Sequence, residues 1–156
     1  MMWLNLVAVP LIARICLVVL FPFSAADKVV HWNAAMKQAT SSVPAGAARL
    51  MLAVAIAVET LTPICIVIGW HDRLAAFILA GFCVVTGILY HQFWKFRGFW
   101  TPDTEGNVHF WEFLKNFGLV GGLLLVVIGL QLAPVSAVVE HPLTSAPFSA
   151  TPGPLH

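Results

Sequence analysis

Long apolar runs, broken by short polar connections, dominate the pattern of this chain. Four runs stand out, at about residues 3–23, 48–70, 73–94 and 109–132. Each is long enough to cross a hydrocarbon core, which takes roughly 20 residues of helix. The pattern therefore predicts an all-α fold: an integral membrane four-helix transmembrane bundle over residues 1–133, with antiparallel neighbours joined by short connections. The second and third runs are separated by little more than His71-Asp72, a tight helical hairpin. The first and second are separated by a polar-tinged stretch ending in Ser-Ser-Val-Pro-Ala-Gly, which is turn chemistry. Its Ala and Met residues also suit a short interfacial helix. Residues 134–156 are rich in Pro, Ser and Thr and read as an extended or disordered tail.

Composition supports the same class. Of 156 residues 60% are hydrophobic and 10% charged, with a mean hydropathy of +0.89. Soluble domains carry about 25% charged residues. The net charge of +1 leaves no basic footprint for nucleic acid, and the partner implied is the lipid bilayer. The first run reads as a retained span rather than a secretory signal, because no Lys or Arg precedes it and Arg14 interrupts it. Lys28, Lys37, Arg49, Lys95 and Arg97 fall in the first and third loops, against Arg73 alone on the other side. The positive-inside rule then puts loops one and three in the cytoplasm and both termini outside, in a bacterial inner membrane.

Charges within the runs mark the candidate chemistry. Arg14 and Glu59 lie near the midpoints of the first and second runs, where a lone charge costs about 2.5–3.5 kcal/mol on insertion scales. Two opposite charges at one depth invite pairing, either as a structural ion pair or as one wall of a polar pocket. Pro63 removes the hydrogen bond to the Glu59 carbonyl, and the hydroxyls of Thr60 and Thr62 are its candidate replacement partners. A shallower layer holds His91, Glu112, Lys115 and Asn116, with Lys28 just past the first run. Glu112, Lys115 and Asn116 stand at i, i+3 and i+4, so they share one helical face. Together these residues outline a cavity open toward loops one and three. On the plainer reading Lys115 reaches back to the interface beside Glu112. The candidate pocket is thus Arg14, Glu59, His91, Lys115 and Asn116, with Lys28, Glu112 and Thr60 as accessories.

Other chemistry is poorly supported. His91, His109 and Glu112 supply two imidazoles and a carboxylate, but no repeated Glu-x-x-His spacing accompanies them, so no metal is expected. Cys16, Cys65 and Cys83 sit on three different runs, with no Cys-x-x-Cys pair.

Several short motifs stand in a fixed order along the chain. They are Ala13-Arg14-Ile15, Phe23-Ser24-Ala25-Ala26-Asp27-Lys28, Val58-Glu59, Gly69 and Arg73-Leu74-Ala75-Ala76. His91-Gln92-Phe93-Trp94, Phe113-Leu114-Lys115-Asn116 and Gly121-Gly122-Leu123-Leu124 follow, and in this order the set resembles the DoxX/DoxD-like family of four-span bacterial membrane proteins. Thr60-Leu61-Thr62-Pro63 departs from the family's usual leucine and glycine run, and Ala25 replaces a frequent glycine. The resemblance implies a redox setting, since relatives include the DoxD subunit of a thiosulfate:quinone oxidoreductase; it supplies no list of catalytic residues. The expectation is a subunit of, or partner in, a quinone-linked membrane redox system. Lys115, His91 and Asn116 would bind the carbonyl oxygens of a quinone, and Arg14 with Glu59 would set charge or relay protons. No covalently held cofactor is implied. A redox partner subunit would supply electrons, and the chain is open to homo- or hetero-oligomers. The alternative is a non-catalytic anchor, assembly factor or small-molecule conduit held together by ion pairs.

Overall fold

The structure, a computed structural model, describes residues 7–128. Within them, the residues from Leu11 onward form one compact unit. The proline-rich tail, the start of the first expected span with Trp3 and the end of the fourth lie outside the described residues.

Among the described residues, four helical spans are long and apolar enough to cross a membrane: Val9–Val30, Ala45–Ile68, Asp72–Lys95 and Glu105–Ile128. The first is made of two helices, α1 (Val9–Val18) and α2 (Leu20–Val30). Pro22 causes the division, because its ring removes the N–H that would reach the Val18 carbonyl four residues back. Val19 between them keeps helical dihedrals, so the span runs on. α3 (Trp32–Thr40) is the short helix for which the first loop had the composition. α4 (Ala45–Ile68) continues through Pro63. It stops at Gly69, whose φ of 75° is the left-handed conformation that glycine adopts without a Cβ clash. The Gly69 and Trp70 N–H groups both donate to the Cys65 carbonyl. α5 (Asp72–Tyr90) follows at once, with an acidic residue in its first turn as the helix dipole favours.

A 3₁₀ turn at Phe93–Lys95 leads to α6 (Glu105–Ile128). The Asn107 N–H donates to the Thr104 hydroxyl at 3.2 Å, a side-chain cap of the kind that starts helices. This cap explains why α6 begins four residues before the apolar run at residue 109. Helix and apolar run are different things at an interface, and the first turn here is the polar Glu105-Gly106-Asn107.

The packed core gathers at the hairpin half of the bundle. Val18, Phe21, Ile66, Ala75, Ala76, Leu79, Ala80, Cys83 and Leu123 are buried together. Small residues make this possible, because helix association in lipid depends on close van der Waals contact rather than on escape from water. Gly122 is one such point: a Cβ there would come 2.7 Å from Leu17 Cδ1. Leu61, Ile64, Ile68, Leu74 and Phe77 turn exposed apolar side chains outward, where lipid is the solvent. The half toward loops one and three is not filled in the same way.

Candidate functional site

Ser24 and Lys28 lie four residues apart on α2, so both project from one face. That face meets Glu59 of α4, a carboxylate with a relative exposure of 4%. Lys28 Nζ donates to Glu59 Oε1 at 2.9 Å, to Glu59 Oε2 at 2.8 Å and to Ser24 Oγ at 2.6 Å. The Ser24 hydroxyl in turn donates to Glu59 Oε1 at 3.1 Å. The result is a closed triangle of charge-assisted hydrogen bonds, the stronger kind, within the membrane span.

The pairing of Arg14 with Glu59 expected from their depths is corrected here. Arg14 Nη2 lies 2.7 Å from Asp72 Oδ2, and Arg14 Nη1 donates to the Ile66 carbonyl at 2.7 Å. Ile66 is in the last turn of α4, where carbonyls lack helical partners and a cation is favoured. Asp72 opens α5. Arg14 therefore clasps the hairpin, and it does not line the cavity. The displacement has a simple cause. The helix of the first span runs on to Val30, past residue 23, which draws Lys28 inside it and leaves Arg14 on the hairpin side of the Lys28–Glu59 pair.

A cavity of about 690 Å³ fills the other half of the bundle. Its walls come from α2 to α6 and include Ser24, Lys28 and Glu59, with Thr86, Tyr90, His91 and Asn116 facing them. Ala34, Ala35, Gln38 and Ala39 bring α3 into the wall as well. The cavity thus unites four residues of the expected set, Lys28, Glu59, His91 and Asn116.

Others of that set stand elsewhere. Lys115 is exposed and donates to Glu112 Oε1 at 2.6 Å on the outer surface of α6. Thr60 is exposed on α4, and its hydroxyl donates to the Ile56 carbonyl at 2.7 Å. The Thr62 hydroxyl donates to the Val58 carbonyl at 2.8 Å, so neither threonine serves the Glu59 carbonyl. Each takes the carbonyl four residues back, the bond nearest to hand for a helical hydroxyl.

His91 Nδ1 approaches His109 Nδ1 at 3.4 Å, and the two rings tilt by 50°. Glu112 is taken up by Lys115, and among the described residues no three His, Cys, Asp or Glu side chains are grouped to hold a metal ion. The Asn116 amide donates to the Glu112 carbonyl at 3.0 Å, and its oxygen makes no hydrogen bond among the described residues. Nor does the Tyr90 hydroxyl, although Tyr90 is a half-buried wall residue.

Ser24, Thr86 and Tyr90, with Asp27, His31 and Gln38 nearer the loops, are polar wall residues that the sequence reading did not place in the pocket. For Ser24 a signal was present, since its i, i+4 relation to Lys28 is legible once the first span extends past residue 23. Thr86 and Tyr90 carried no comparable signal, being single polar groups in an apolar run.

Comparison with known proteins agrees with this architecture. A sequence profile of the family described as DoxX matches residues 9–92, just over half of the chain. The chain is also 28% identical over 120 residues to the inner membrane protein YphA of Escherichia coli (strain K12), covering 76% of this chain and 80% of that protein. No solved structure matches.

Proposed function

The chain belongs to the DoxX family of membrane proteins, and from that premise we propose that it serves a quinone-linked redox system of the inner membrane, its cavity seating a quinone head group or a polar molecule of similar size. One observation carries this reading: a cavity of about 690 Å³ at membrane depth holds a buried Lys28–Glu59–Ser24 cluster. Ionisable groups within spans are costly and usually serve a site or a pathway, and ligand cavities fall in the range of about 300–1,000 Å³. The Tyr90 hydroxyl, a ring N–H of His91 and the Asn116 amide N–H not used by the Glu112 carbonyl are the donors for carbonyl oxygens, in place of the outward-facing Lys115. The redox part of the reading rests on the DoxX/DoxD resemblance, and the membrane on YphA. Electrons would come from a partner subunit or an external donor.

Orientation follows from charge. Arg14 and Lys28 are engaged in ion pairs, so only the remaining loop charges enter the count. Lys37, Arg49, Lys95 and Arg97 outweigh Arg73, which puts loops one and three in the cytoplasm.

A second reading, that of a non-catalytic anchor, assembly factor or conduit, is favoured by the closure of the Lys28–Glu59–Ser24 triangle. A structural ion pair needs no guest.

The test is to extract the protein in discs of native lipid and quantify quinone above the amount carried by lipid alone. Stoichiometric quinone is expected in the parent and in Lys115→Ala, and its loss in Ala55→Trp, which fills the cavity. No excess quinone in any sample, or retention in a folded Ala55→Trp protein, overturns the reading in favour of the second.

A further inference from the structure

The cavity wall divides into two chemistries. Toward the loop side lie Asp27, His31, Gln38, Tyr90 and His91. At membrane depth the wall is aliphatic, and several of its members are more exposed than buried. Leu50 and Val54 of α4 are 68% and 52% exposed, and Val85 of α5 is 52% exposed. Leu50 and Val54 stand at i and i+4 on their helix, as do Val85 and Leu89 on theirs, so each pair forms one apolar edge. α4 and α5 are tied at the Gly69 turn and packed through Ile66, Ala76 and Leu79. Farther along, both helices contribute to the cavity wall. Both edges line the cavity with exposed apolar surface, so a guest passing between them would meet aliphatic side chains rather than polar groups.

The polar cluster inside adds a second condition. Lys28 Nζ has three protons, and Ser24 Oγ and both Glu59 oxygens take them. Ser24 donates its own proton to Glu59. The cluster is neutral as a whole and has no donor to spare for an anion. A charged guest would have to split the pair within the membrane, where each separated charge loses its partner. An uncharged guest leaves the pair closed and meets the free polar atoms of Tyr90 and Asn116.

We infer that the cavity admits an uncharged, bilayer-dissolved amphiphile sideways, past the Leu50–Val54 edge of α4 and the Val85–Leu89 edge of α5. This rests on reading the cavity as a ligand site, and it does not require the ligand to be a quinone.

The experiment uses the full chain in liposomes and two aryl diazirines of equal size, one uncharged and one bearing a carboxylate. After photolysis, labelled residues are mapped by peptide mass. The uncharged probe is expected to label the wall at Ala55 and Thr86, and the anionic probe, supplied from water, to leave it unlabelled. In Val85→Trp, wall labelling by the uncharged probe should fall several-fold, while labelling of the lipid-facing Leu61 and Ile64 stays constant. Equal wall labelling by the anionic probe overturns the inference in favour of entry from water. Unchanged wall labelling in Val85→Trp overturns the side route, and an unlabelled wall in the parent overturns the site. Wall labelling by the uncharged probe, in a protein that retains no quinone, removes the quinone reading and leaves this inference standing.

Discussion

Arg14 and Asp72 meet at 2.7 Å across the α4–α5 hairpin, and the same guanidinium donates to the Ile66 carbonyl. One side chain of the first span thereby closes the end of the second and the start of the third. Arg14→Ala is expected to lower stability by about 1.5–3 kcal/mol, the range for hydrogen bonds to charged groups. Asp72→Ala should lose part of that, since the carbonyl contact survives. Thermal unfolding in detergent measures both. Quinone retention in the surviving folded fraction should not change, because Arg14 does not line the cavity.

Lys28 and Glu59 behave differently, because one is nearly enclosed and the other largely so. Lys28→Met leaves a carboxylate without its cation and should cost about 3–5 kcal/mol. Lys28→Met combined with Glu59→Leu removes both charges and should recover most of that loss. A double-mutant cycle on unfolding midpoints checks this. If the double variant is no more stable than the single one, the pair is more than an electrostatic match.

Lys115→Ala should lower stability by about 1–3 kcal/mol, less than the loss at Lys28, because it leaves the Glu112 carboxylate unpartnered on the outer surface of a membrane-spanning helix. The Lys115–Glu112 pair spans one turn of α6 on its outer surface, with the lysine side chain 66% exposed. The same unfolding assay distinguishes this outcome from a buried role.

Two glycines of α6 should respond in opposite ways to alanine. A Cβ at Gly106 would lie 2.6 Å from Phe96 Cβ and 3.1 Å from the backbone Cα of Phe99, so the connection before α6 would have to move. Gly106→Ala is expected to cost about 1–3 kcal/mol by overpacking. Nothing lies within 4 Å of a Cβ at Gly118. Gly118→Ala should be neutral or stabilising by up to about 1 kcal/mol from helix propensity.

The spans were legible because lipid imposes a minimum apolar length, and four runs met it. Their ends were less so, since α2 continues through Asp27 and Lys28 and α6 starts at Glu105, both polar stretches that an apolar window discards. Ending the first span at residue 23 had the larger effect, putting Arg14 at the depth of Glu59 and leaving Lys28 outside. Lys115 illustrates a different limit. It and Asn116 are neighbours in sequence but about 100° apart around the helix at 3.6 residues per turn. The cavity takes Asn116 and leaves Lys115 on the surface. Period alone marks a face as polar, but not which edge of that face a neighbouring helix covers.

The contrast between a filled hairpin half and a hollow loop half means that each helix carries two kinds of residue in succession. Along α5, Ala75, Ala76 and Leu79 hold the molecule together, while Thr86, Leu89 and Tyr90, two turns on, shape what it can hold. Ligand preference is thus free to drift through substitutions at one end of a helix without passing through unstable intermediates at the other. A lineage of such proteins need keep only the hairpin end constant to explore many guests.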